Sequence, residues 1–119
     1  MKNKITLNTN MFLNKRKKIL LTELKRIKGE LIVKYHPRKI ILFGSLLKNR
    51  VKNNSDIDLV IIKDTNKAFI DRAIEVALLT HPNFAVDFLV YTPEEYKQMS
   101  LENNYFFNEI SKGRVIYAA

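Results

Sequence analysis

The chain has 119 residues, no cysteine and a formal net charge of +9, with 46% of its residues hydrophobic. That length allows one modest core, the hydrophobic content is that of a folded globular protein, and the missing cysteines exclude a disulfide framework or a thiolate zinc site. No apolar run approaches the ~18 residues of a membrane span, and Ile19-Leu20-Leu21 is too short for the apolar part of a secretion signal, so a cytoplasmic protein with no membrane partner is expected.

The charge is uneven: residues 1–55 carry 15 Lys/Arg against 2 Glu, and residues 56–119 carry 6 Lys/Arg against 10 Asp/Glu. A basic first half suits a polyanionic partner or a solvated basic helix face. Residues 1–10, rich in Asn and without a strong period, read as a loose arm of a single 1–119 domain. From Lys15 to Tyr35, Leu20, Leu24, Ile27, Leu31 and Tyr35 recur at spacings of four, three, four and four, which predicts an amphipathic helix ended by Pro37. Lys39 to Phe43 reads as a first strand, followed by Gly44 and a short helical or turn segment, Leu46 to Val51, closed by Asn53-Asn54-Ser55. A second strand is expected from Ile57 to Lys63. Asp64-Thr65-Asn66 then reads as the cap of a helix that buries Phe69, Ile70, Ala73, Ile74, Ala77 and Leu78 and ends at His81-Pro82.

Phe84 to Tyr91 gives a third strand. Thr92-Pro93-Glu94-Glu95 has the spacing of a capping box with proline at the first helical position. A last helix, about Leu101 to Lys112, is expected to close on a left-handed Gly113, before a short edge strand from Arg114 to Tyr117. Helices alternating with strands predict a small α/β protein, with strand directions left open. His36 and His81 lack metal-ligand spacing and read as structural. Tyr35, Tyr105, Phe106 and Phe107 read as core or interface, with Asn104 to Asn108 a candidate partner surface.

Three carboxylates stand out against this frame. Asp56 and Asp58 flank Ile57 at the head of the second strand, so they project from one face roughly 6–7 Å apart. Asp87 interrupts an otherwise apolar strand, where a buried charge needs a cation or strong hydrogen bonds. Like charges gathered on adjacent strands suit hard divalent ions, with positions left for phosphate oxygens and water. Gly44 would let backbone N–H groups approach a phosphate, and Ser45 would cap a short helix whose start is an anion site.

Leu42-Phe43-Gly44-Ser45, ten residues, then Ser55-Asp56-Ile57-Asp58-Leu59-Val60 resembles the signature of the polymerase-β-like nucleotidyltransferases. More narrowly, the chain from Pro37 onward resembles the minimal nucleotidyltransferases, the MntA-type antitoxins paired with HEPN-domain toxins. Asp87, Tyr91 to Glu95 and the ending Gly113-Arg114-Val115-Ile116-Tyr117 take part in the match. The resemblance implies a mixed sheet flanked by helices and magnesium-dependent transfer of AMP from ATP to a hydroxyl, with two ions held by Asp56, Asp58 and Asp87. Asp87 would also help activate the acceptor, and Gly44 and Ser45 would contact the triphosphate. The implied acceptor is a tyrosine of a HEPN ribonuclease toxin, silenced by adenylylation. Two other readings remain open: a non-catalytic antitoxin acting by stoichiometric binding, and transfer to an RNA end. Homo-oligomerisation is left open too. Many relatives carry Arg or Tyr directly after Gly-Ser and a glycine a few positions on, where this chain has Leu46 and Asn49; Lys48 and Arg50 are the candidates to supply the charge.

Overall fold

The computed structural model describes residues 2–48, 50–51 and 56–119, with side chains from Met11 onward. In chain order its elements are α1 (Lys2–Lys34), β1 (Lys39–Phe43), β2 (Ile57–Ile62), α2 (Phe69–Thr80), β3 (Val86–Tyr91), α3 (Pro93–Glu102), α4 (Tyr105–Ser111) and β4 (Arg114–Ala118). The strands form one mixed sheet in the order β3-β2-β1-β4. β1 runs antiparallel to both β2 and β4, while β2 and β3 are parallel, with α2 as the crossover between them.

Helices cover both faces of the sheet. On one face Leu20, Leu24, Ile27 and Leu31 of α1 and Val76 of α2 pack on Ile40, Leu59 and other apolar residues of the strands. On the other, Ile110 of α4 and Tyr96 and Met99 of α3 close over Ile41, Val60 and Ile62. β2 is covered on both sides, which is why its sequence is apolar almost throughout, as a central strand requires. Asp58 shares the side-chain parity of Val60 and Ile62 and so belongs to the α3–α4 face.

The buried stripe of α1 is the one its spacing predicts, and the helix gives way at His36, which takes a left-handed φ of 55° before Pro37. The N-terminal boundary differs. Where a loose arm was expected at residues 1–10, the backbone is helical from Lys2, since no proline or glycine precedes Gly29 to interrupt propagation. Although α1 spans 33 residues, no helix among the described residues is long and apolar enough to cross a membrane.

α2 departs more sharply from expectation. Its inward side is led by buried Arg72, Val76 and Thr80, with Ala73 and Ala77 of the expected face packed against the core, whereas Phe69, Ile70, Ile74 and Leu78 are exposed. Its N-cap is Ala68, with no side-chain cap, so Asp64-Thr65-Asn66 does not serve as one. Arg72 can be buried because its donors are satisfied: Nε donates to Lys67 O (2.8 Å), and NH1 donates to Val90 O (3.1 Å) and Glu95 Oε1 (2.6 Å). This one guanidinium ties α2 to β3 and α3.

The capping box is present: Glu95 N donates to Thr92 Oγ1 (3.1 Å), and Thr92 N donates to Glu95 Oε1 (2.8 Å). The helix expected from Leu101 to Lys112 is split, because Asn103 ends α3 in a left-handed conformation and the Asn104 side chain caps α4 by accepting from Phe107 N (2.7 Å). Gly113 is not left-handed. An added Cβ there would lie 2.7 Å from Leu42 O and 2.8 Å from Ile110 O, so glycine serves the close approach of β4 to β1.

Candidate active site

The site forms where β1 ends and β2 and β3 begin. Phe43, the last residue of β1, pairs with Asp58, and Gly44 follows with φ +81°. A Cβ on Gly44 would fall 2.2 Å from Asp58 Oδ2 and 3.0 Å from its Cγ. Only glycine meets both the left-handed backbone and the contact. Beyond it the chain turns through residues 45–48, with Lys48 N donating to Gly44 O (3.1 Å) and Arg50 N to Ser45 O (3.0 Å). This segment is a turn, so Ser45 caps no helix there and the expected dipole-based anion site is not formed.

β2 presents the carboxylates. Ile57, fully buried, anchors the strand between Asp56 and Asp58, and its N–H donates to Ala85 O (3.1 Å) just before β3. The parallel register then places Asp87 directly beside Asp58, on the same face. Asp58 is half-buried and its carboxyl is pushed up to about 6. Burial is the main cause, followed by the charge of Asp87, a hydrogen bond with Asp87 and the charge of Asp56. Asp87 is itself exposed, because β3 is an edge strand and its N-terminal end is left open. The buried-charge argument for Asp87 therefore fails, although its juxtaposition with Asp58 stands.

These are hard oxygen donors under mutual repulsion, a state that a divalent cation relieves, so the donor chemistry fits magnesium. Asp58 shares a hydrogen bond with Asp87, and the charges of Asp87 and Asp56 both act on it. Among the described residues no three His, Cys, Asp or Glu side chains are gathered closely enough to hold a metal ion. Asp58 and Asp87 make the pair, and Asp56 acts on Asp58 as a charge from the residue before β2.

A cleft of about 480 Å³ adjoins the pair, lined by Asp58, Asp87, Phe43 and Phe106 on one side and by Ala73 and Ile74 of α2 on the other. Phe106 meets Phe43 edge-on at 6.4 Å. One helical turn after Phe106, Glu109 accepts from Lys48 Nζ (2.9 Å), and Lys112 Nζ stands 3.6 Å from its other oxygen. Lys48, expected to serve the triphosphate, is thus tied to α4, and the two ammonium groups hold the Glu109 carboxyl below its usual range. Arg50 is exposed. Leu46, standing where relatives carry Arg or Tyr, is a buried member of the main core. Asn49, Asn53, Asn54 and Ser55 lie outside the described residues.

Sequence reasoning missed Phe106 and Glu109 as components of the site. The signal was slight: one acid in an aromatic-rich segment, three residues from Lys112. A protein-family model described as "Polymerase beta, Nucleotidyltransferase" matches residues 25–119. No curated protein matches significantly.

Proposed function

The chain belongs to the polymerase beta nucleotidyltransferase family, and on that premise we propose that it moves AMP from ATP to a hydroxyl of a partner protein. Nucleotidyl transfer is the reaction class of the family. The finer reading has the acceptor as a tyrosine of a HEPN-type ribonuclease toxin in the cytoplasm, with transfer making this chain the antitoxin. The observation that carries the catalytic reading is the in-register pair Asp58 and Asp87, facing a Gly44 that has no room for a side chain.

Magnesium would be held by Asp58 and Asp87, with Asp56 completing the set. When bound it would draw charge from the α-phosphate and the leaving pyrophosphate. The acceptor oxygen attacks the α-phosphorus, the new P–O bond forms, and the bond to the bridging oxygen of pyrophosphate breaks. Asp87, the more exposed carboxylate, would take the acceptor's proton. Gly44 and Ser45 lie beside the pair and bring backbone rather than side chains to the triphosphate, and exposed Arg50 is the remaining candidate cation on that turn.

The test is incubation of the chain with α-labelled ATP, magnesium and a co-encoded HEPN protein. Label is expected on the partner's tyrosine, and Asp58→Ala should abolish it while the circular dichroism spectrum is retained. A folded Asp58→Ala protein that transfers normally would overturn the scheme. Stoichiometric inhibition without transfer is the second reading, favoured by the Lys48–Glu109 pairing, which engages a cation expected to serve the triphosphate. Inhibition of the toxin without label would select it. Label on an added RNA in place of the partner protein would select transfer to an RNA end, with binding that weakens steeply with salt.

A further inference from the structure

Ile70, Ile74 and Leu78 lie at i, i+4 and i+8 along α2, and each is more than half exposed. Three large aliphatic side chains on one helical line form a stripe that the described residues leave exposed. Two further observations say what it is for. First, the stripe runs into the reaction site: Ile74 lines the same cleft as Asp58 and Asp87. Second, the ground around it is acidic. Asp71 is exposed beside it and the cleft that Ile74 lines holds Asp58 and Asp87, while Glu75 is paired with Lys67.

Resting on the transfer reading above, we infer that α2 is the docking rail for the acceptor, and that the acceptor is an apolar protein segment flanked by Lys or Arg. The apolar stripe and the surrounding carboxylates each contribute one element of that recognition. A nucleic acid offers no aliphatic face to bury, and its phosphates would meet the exposed Asp71. Seated along α2, the segment brings a hydroxyl side chain past Ile74 to Asp87. Here α2 selects the acceptor, while the turn after β1 serves the nucleotide.

The test uses the full chain and a synthetic helical peptide with leucines at i, i+4 and i+8, flanking lysines and one tyrosine. Binding is followed by fluorescence anisotropy and labelling with α-labelled ATP and magnesium. The wild-type chain is expected to bind and label this peptide, and to bind a counterpart with glutamates in place of the lysines at least tenfold more weakly. Ile70→Asp and Leu78→Asp, neither of which lines the cleft, should each weaken peptide binding at least tenfold. The thermal shift given by ATP and magnesium should be unchanged in both. Peptide binding that is absent, or indifferent to both substitutions, overturns the docking rail. So does a wild-type dimer that Leu78→Asp converts to monomer, because a second copy then covers the stripe. Peptide binding that depends on the stripe, without ATP binding or label, retains the rail and sinks the transfer reading instead.

Discussion

Replacing Gly44 by alanine would set a methyl group against Asp58 Oδ2 and ask an L-residue to hold φ +81°. The expected loss is about 1–3 kcal/mol in chemical denaturation, together with loss of transfer, because relief of the clash must move Asp58. Asp58 itself gives a prediction of opposite sign. Its carboxyl is raised to about 6 in the folded chain, so the stability it contributes is present at low pH and is lost as pH rises through that value. Asp58→Asn should therefore raise the melting temperature of the metal-free protein by a few degrees at pH 8 and by little at pH 4. A scan at both pH values, with chelator present, reads this directly. Asp58 was legible in sequence because strand alternation sets its face within β2, whereas Asp56 stands one residue before the strand. The exposure of Asp87 was not, since which strand sits at the sheet edge is decided by topology.

Among the elements, α1 was legible because its stripe obeys one period without interruption, and it buries the residues that period selects. α2 misled because its aliphatic residues also follow a helical period, while the residue turned inward at its first turn is an arginine. Only partners far along the chain, Val90 and Glu95, make that burial affordable. The join between α1 and the end of α2 is polar as well. Glu23 is buried, accepts from Arg26 Nε (2.8 Å) and Asn83 N (2.5 Å), and its carboxyl is pulled down to about 2, chiefly by the hydrogen bond from Arg26. Arg26 in turn donates to Thr80 O (2.8 Å) and His81 O (3.2 Å), closing the carbonyl end of α2. Because the folded value lies below the usual one, the stability from Glu23 is held above about pH 4.5 and lost as pH falls towards 2. Glu23→Ala should cost about 2–4 kcal/mol near pH 7, leaving the Asn83 N–H without its acceptor and Arg26 without its carboxylate partner, and should cost less near pH 2. Urea titrations at the two pH values would measure the difference.

At the scale of the whole molecule, the radius of gyration is 15.9 Å, against about 13.5 Å for a compact chain of this length. α1 accounts for the difference. Among the described side chains of this helix the first buried one is Leu20, more than halfway along it. The rest divides the labour across the sheet, with the larger core between the sheet and α1 and α2, and the carboxylates on the opposite face near α4. The pairing of β2 with β3 also has a consequence in time. β1 and β2 are neighbours along the chain and can zip as an antiparallel pair, whereas Asp87 reaches Asp58 only once the α2 crossover has closed. Non-local parallel pairing is slow to nucleate. In pulsed hydrogen exchange during refolding, amides of β1 and β2 are expected to gain protection before those of β3. A newly synthesised chain would then pass through a stage with much of its scaffold built and its two facing acids still apart, inert until the last strand arrives.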